Sequence, residues 1–448
     1  MTARKTKTYD AHNSARFYSG EGNEKRLCYD LLAKEVMADI SILTAEDNSE
    51  MFYYDDAAGI YRRGAKNKIK VIAKVLTEQK ITTHQTRELL FQIETKTYID
   101  RDKFDKEKHL IVLKNCVYDL KTNKTQPHTD GIKATSCIPI EYNPDADCPA
   151  VKKFMGEILD ERGVKTVQQL FGYCLWRDYP IQRAVMLVGD GSNGKSTLIN
   201  LLKAFLGKEN CVSKELQNLD TSKNRFATAP LYGKLANLAA DISDRAMLAT
   251  GTFKALTGGD SIPAERKFKE SFEFVNYSKQ IYSANRLPAV KDKTDAFFRR
   301  WVLLFFDHKF EGENDDKNML SKLTTPEEIS GAFNWAIEGL KELLAAGDFT
   351  SAIPTDELRE KYNALSNSLG AFVADCVEPQ AGNSISKSDL YSAYSEYCRK
   401  NNLPILLKEK VGRDLQQHIE AGEGKKGSDR AWTGIRLKEG KQKEIGEF

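Results

Sequence analysis

Gly189-Asp190-Gly191-Ser192-Asn193-Gly194-Lys195-Ser196 is a run whose residue types and spacing suit one task, the holding of a row of phosphates. Glycines let backbone N–H groups turn inward around an anion, and a helix that starts next adds the partial positive charge of its N-terminus. The run fits GxxxxGK[ST] without a mismatch. Chemistry then assigns Lys195 to the β- and γ-phosphates, the Ser196 hydroxyl to a Mg²⁺ ion, and the stretch from Gly189 to Thr197 to nucleotide binding. Chance produces such a match in about one or two of a hundred chains of this length. The flanks are what this chemistry needs. Ala184–Val188 is an apolar run short enough for a buried strand, and Leu198, Leu201, Leu202, Phe205 and Leu206 fall on one face of a helix.

Further candidates follow. The moderately apolar segment 231–242 ends near Asp241, where an acid at a strand end would hold the Mg²⁺ shell and polarise water. Its competing role is a helix cap, which Asp241, Ser243 and Asp244 all suit. Lys254–Asp260 reads as a tight turn, and Ile262–Lys269 as a basic segment with an aromatic residue at Phe268. Gln280–Asn285 reads as a strand ending in a polar amide, and Arg299-Arg300 precede another apolar strand, Val302–Phe306. The paired Asp55 and Asp56 read as a hairpin turn between 51–54 and 60–61 rather than as metal ligands.

Composition sets the bounds. The 448 residues carry 67 basic and 64 acidic side chains, a net charge of +3, so any nucleic-acid surface must be local. The eight cysteines form no CxxC pair, which argues against a zinc ribbon and a disulfide framework. The basic N-terminus lacks the apolar stretch of a signal peptide, and no apolar run reaches the ~20 residues of a membrane span. A soluble, cytoplasmic chain is expected, with no membrane partner.

In chain order the expectation is a flexible basic tail (1–22), an α+β module (23–148), an α/β core (149–350) and a C-terminal domain (351–448). Within the second are a helix over Glu24–Ile42, helices over 67–78 and 83–94, and a β-rich stretch at 110–113, 117–120 and 134–142. Two helices over Val151–Trp176 lead into the core, and a strongly patterned helix covers Ile329–Ala345. At the C-terminal end two helices, a glycine- and lysine-rich turn and a strand at 431–437 suggest a winged helix. There Lys408, Lys410, Arg413, Lys425 and Lys426 would meet phosphates, although Glu409, Asp414, Glu420 and Glu423 also make it a mixed, solvated surface.

Taken together, the phosphate loop, Asp241, the Lys254–Lys269 segment, Asn285 and the arginine pair resemble superfamily 3 helicases. The resemblance is to the branch that holds the poxvirus primase–helicase and those of phages and plasmids, and is best over Asn115–Asp307. It implies an AAA+-like P-loop NTPase core, an N-terminal pre-helicase module without primase activity, and a winged-helix-like C-terminal domain. It implies Asp241 as the Walker B acid, Asn285 as the γ-phosphate sensor, and Arg299 or Arg300 as the finger supplied to a neighbour. Arg266, Lys267 and Lys269 would be contacts to DNA from a hairpin. Many members carry two adjacent acids in the Walker B motif, whereas Asp241 is followed by Ile242 and Ser243. The implied activity is ATP- and Mg²⁺-dependent unwinding by a homo-hexamer on single-stranded and forked DNA, with a replication initiator, primase or polymerase as partners. An origin-melting initiator is the alternative; a small-molecule kinase would have no use for a trans arginine or a terminal winged helix.

Overall fold

The computed structural model describes residues 11–20, 25–219, 221, 224–243, 250–267, 271–310 and 316–438. Residues 11–17 form a 3-10 turn, and β1 (Tyr18–Ser19) pairs antiparallel with β2 (Arg26–Leu27). Phe17 and Leu27 are buried there, so the second half of the expected flexible tail is folded, while residues 1–10 lie outside the described residues. Because Leu27 is used by β2, the helix expected from Glu24 begins only at Tyr29, as α1 (Tyr29–Asp39). β3 (Ile42–Ala45) is followed by the expected hairpin, β4 (Glu50–Asp55) and β5 (Ile60–Arg63). Asp55, at its turn, accepts from Arg62 Nε at 2.7 Å and from the Ala57 N–H, roles of a turn residue. α2 (Ala65–Leu76) and α3 (Thr83–Lys96) join α1 in a core with Ile42 and Met51, and α3 opens on a reciprocal Thr82–Gln85 capping box. β6 (Tyr98–Ile99) completes the sheet β5-β4-β3-β6.

β7 (Leu110–Val112), β8 (Val117–Asp119) and β9 (Lys124–Gln126) form an antiparallel meander. The stretch 134–142, expected to be β-rich, joins no ladder. Ile138 N–H bonds to Val112 O and Lys114 N–H to Ile140 O, but Pro139 between them has no donor with which to continue a strand.

In the core, α4 (Pro149–Ile158) carries proline at its first position and α5 (Glu161–Leu175) is capped by Asp160, which accepts from the Gly163 N–H at 2.7 Å. β10 (Ala184–Val188) is buried at every residue and leads to α6 (Lys195–Leu206). β11 (Cys211–Val212) and β12 (Ala236–Ala239) follow. The segment expected to be a tight turn is a helix, α7 (Gly251–Gly258), because Phe253, Leu256 and Thr257 share one buried face; the turn is confined to Gly259 at φ +83°. An antiparallel hairpin, β13 (Ser261–Ala264) and β14 (Phe272–Val275), stands off the sheet. β15 (Lys279–Ala284), α8 (Asp295–Phe298), β16 (Trp301–Phe305), α9 (Met319–Leu323) and α10 (Pro326–Ala346) complete the core.

The parallel sheet runs β16-β10-β15-β12-β11, which is 5-1-4-3-2 when its strands are counted along the chain. β10 therefore lies between two strands that come much later, and in open parallel sheets the crevice beyond the carboxyl end of such a strand is where ligands sit. One face of the sheet is covered by α4, α5, α6 and α10. α5 and α10 approach closely, since a Cβ on Gly172 would fall 2.1 Å from Ala336 O. The other face packs Phe253, Phe297, Trp301 and Tyr362.

Tyr362 belongs to α11 (Thr355–Ser366), and its hydroxyl donates to Pro288 O at 2.9 Å. The chain then forms α12 (Ser368–Cys376), β17 (Val377–Ser386), α13 (Lys387–Lys400), α14 (Lys408–Asp414), β18 (Gly422–Lys426) and β19 (Asp429–Leu437). The last three strands pair antiparallel in the order β17-β19-β18. Among the described residues no helix is long and apolar enough to cross a membrane.

Candidate active site

β10 delivers the chain to the carboxyl edge of the sheet, and the next six residues make the loop before α6. Two glycines are needed there for contact reasons. A Cβ on Gly194, at φ +88°, would lie 2.7 Å from Ile158 Cγ2; one on Gly189 would lie 2.6 Å from Phe306 O. The buried Asn193 amide donates to Phe306 O at 2.9 Å, and the Phe310 N–H donates to Ser192 O at 2.7 Å, so the end of β16 fixes the loop. A Cβ on Gly191 would meet no protein atom within 4 Å, so packing does not require glycine at that position.

Lys195 is buried, with 5% of it reaching solvent. Its ammonium donates to Gly189 O at 2.6 Å, Asp190 O at 2.7 Å and Asn193 Oδ1 at 2.9 Å, because a cation at a helix N-terminus is drawn to the nearest oxygens. Burial lowers its pKa, and the carboxylates of Asp190 and Asp241 oppose that shift. A phosphate entering the loop would replace neutral oxygens by charged ones around a group already in place.

Asp241 lies two residues past β12 at φ +54°, a conformation that costs a non-glycine residue of order 1–3 kcal/mol and persists only where the surroundings impose it. The Ile242 N–H, bonded to Ser283 O at 2.8 Å, imposes it here and leaves the exposed carboxylate facing the loop. Asn285 follows β15 directly and is exposed beside it. A cavity of about 360 Å³ gathers Gly191 to Thr197, Asp241, Ser283 and Asn285. Its opposite wall carries Phe154, Glu157, Phe310, Asp316 and Met319. Sequence reasoning missed those five; Phe154 and Glu157, one helical turn apart on α4, belong to no motif. A hydroxyl at Ser196 and a carboxylate at Asp241 are hard oxygen donors, the set that suits Mg²⁺.

The arginine pair is split and lies outside this cavity. Arg300 is 6% exposed and donates through Nε to Thr257 Oγ1 at 2.9 Å and through Nη1 to Ala296 O. Arg299, one residue earlier, is exposed. The nearby Asp295 pairs with Arg359. On the hairpin, Arg266 is held by Glu50, Lys267 is exposed, and Lys269 lies outside the described residues, as does Asp244. In the C-terminal domain Lys408, Lys425 and Lys426 are exposed, Lys410 is half-buried, and Arg413 donates to Asp414.

Three sequence families match along the chain. Residues 25–160 match the family described as D5 N terminal like, residues 187–300 a family of unknown function (DUF5906), and residues 365–445 the family described as poxvirus D5 protein-like. Two of these three matches are to D5-like families, so the chain resembles phage and viral primase–helicases near both of its ends. The chain is 26% identical over 347 residues to a candidate helicase of Acanthamoeba polyphaga mimivirus, covering 70% of this chain and 35% of that one. It is 22% identical over 311 residues to a candidate helicase of Invertebrate iridescent virus 3, covering 61% and 33%. It thus spans about a third of the length of these curated relatives. The apo C-terminal region of NrS-1 is similar to it at 13% identity and a TM-score of 0.48, over 90% of this chain and 98% of that one.

Proposed function

We propose that the chain is an ATP-dependent DNA helicase acting in the replication of a phage, virus or plasmid. The observation that carries this reading is the convergence of Lys195, Ser196, Asp241 and Asn285 on one cavity at the carboxyl edge of β10. In it, Gly191–Ser196 would cradle the phosphates of ATP, and Ser196 and Asp241 would hold Mg²⁺. The ion would offset charge on the phosphates. Lys195 would neutralise the β- and γ-oxygens, Asp241 would orient the attacking water, and Asn285 would read the γ-phosphate. The open space around Gly191 supports close approach of a phosphate to its backbone N–H.

The 5-1-4-3-2 strand order supports an AAA+-like core over residues 149–350 preceded by a separate module over 23–148. The order helix, strand, helix, helix, strand, strand from α12 to β19 supports a winged-helix-like domain within 351–448, with Lys408, Lys410, Arg413, Lys425 and Lys426 near phosphates. Such cores hydrolyse ATP in rings, here a homo-hexamer, where a neighbour's arginine completes the site. Arg299 takes that role because Arg300 is already spent inside its own subunit. The hairpin β13–β14, with the exposed Lys267 and with Lys269, would follow single-stranded DNA.

Strand displacement on a forked duplex tests the reading. Unwinding with ATP and Mg²⁺ and none with a non-hydrolysable analogue is expected; melting that needs nucleotide binding alone would favour an initiator.

A further inference from the structure

The loop end of the hairpin is gripped by the N-terminal module. Three guanidinium groups gather over two rings of the core: Arg101 lies 5.1 Å from the Tyr232 ring and 4.9 Å from Phe272, Arg266 lies 5.0 Å from Phe272, and Arg63 lies 5.4 Å from Tyr232. Arg63 and Arg101 come from the N-terminal module, Arg266 and Phe272 from the two sides of the hairpin. Like charges at this spacing repel unless anions lie among them. Two do, both from the N-terminal module. Asp47 takes Arg101 with both oxygens, at 2.5 and 2.7 Å, while Arg101 also donates to the Tyr232 hydroxyl at 2.8 Å. Glu50 takes Arg266 Nη1 at 3.3 Å from each oxygen and Arg63 Nε at 3.5 Å. Arg266 Nη2 is buried without a hydrogen-bond partner. A carboxylate free to choose would engage both arms of the fork, so the stack on Phe272 sets the plane of this guanidinium and Glu50 reaches it from the side.

We propose that Glu50 is a positioning residue for the β13–β14 hairpin, and that it ties the hairpin and the N-terminal module into one body. Arg266 then acts in holding the hairpin rather than in touching DNA. Loss of Glu50 leaves the half-buried Arg266 beside Arg63 without their shared anion, and a half-buried charge is the one for which removing a partner costs more. Movement of the hairpin relative to the sheet must carry the N-terminal module with it. The consequence for DNA rests on the reading of the hairpin given above; the grip itself does not.

Hydrogen exchange of the full chain separates the two. In Glu50→Ala, amides of residues 261–264 and 272–275 should exchange about tenfold faster or more, while those of 184–206 keep their rates. Glu50→Gln, which keeps the side chain's size but not its charge, should also loosen the hairpin, and Glu50→Arg combined with Arg266→Glu should restore much of its protection. Hairpin exchange within twofold of the parent in both single variants, or acceleration spread equally over 184–206, overturns the proposal. A fluorescent 15-mer oligothymidine supplies the second readout. A hairpin loosened without change in affinity for it leaves the grip standing and removes the hairpin's role in DNA binding.

Discussion

The two edges of the parallel sheet each bury a lysine, and the same chemistry serves opposite ends. At the carboxyl edge Lys195 donates to three oxygens of its own loop, beside a cavity that also holds Asp241. At the amino edge Lys279, 1% exposed at the start of β15, donates to the carbonyls of Trp176, Asp178 and Tyr277 and lies 4.4 Å from the Tyr173 ring and 5.4 Å from Tyr179. Both ammonium groups are satisfied. Only Lys195 lines a cavity, so only its partners are exchangeable for a ligand. A buried lysine in a ring of carbonyls is therefore no mark of a site; access from a cavity is what distinguishes one.

Substitution at each edge should break this symmetry in opposite ways. Lys195→Ala should take ATP hydrolysis to background while shifting Tm by no more than a few degrees. An unaltered turnover number would remove the site from the carboxyl edge. Arg299→Ala should slow hydrolysis by about 10³ or more without loss of stability, the size expected for an arginine finger. Arg300→Ala should instead lower Tm, since it leaves Thr257 and Ala296 without their donor. Equal ATPase loss with equal melting in the two variants would contradict their division of roles. Asp241→Asn should leave nucleotide binding in place and reduce hydrolysis by about 10² or more, the scale of a misplaced metal and water. Joint loss of binding and folding would return Asp241 to a capping role.

Lys279→Met sharpens the other half of the comparison. It should destabilise by about 2–3 kcal/mol, because buried carbonyls lose their donor, while ATP turnover per folded molecule is kept. A change in turnover with unchanged Tm would place Lys279 in the wrong class. The smallest effect is on pH dependence. Burial pulls the Lys279 ammonium down to about 7 from an ordinary value of 10.5. Between those values the unfolded chain binds more protons than the folded one, so the contribution of Lys279 to unfolding free energy rises with pH. Urea melts at pH 7 and pH 9 should show this rise in the parent and not in Lys279→Met; identical slopes would contradict it.

The phosphate loop was legible because a single motif fixes strand, turn and helix within some twenty residues, and each follows from local chemistry. Asp241 and Asn285 were found because they end apolar runs. The orientation of Lys195, the split between Arg299 and Arg300, and the wall of Phe154, Phe310 and Met319 were not legible. They depend on what β16 and α4 bring from far along the chain. Helices α2, α3 and α10 fell within a few residues of their expected bounds through spacing and caps, whereas α7 was hidden by its two terminal glycines and 134–142 by the periodicity of a strand that Pro139 forbids. The grip on Arg266 joins residues 216 positions apart, beyond the reach of any local pattern.

Whether the site is completed by a neighbour is tested most directly by mixing Arg299→Ala with Lys195→Ala. Mixed rings contain interfaces at which an intact loop meets an intact arginine, so phosphate release should rise above the sum of the two variants and depend on protein concentration. No recovery at any mixing ratio, or full activity of Arg299→Ala at high dilution, would contradict a site shared between subunits.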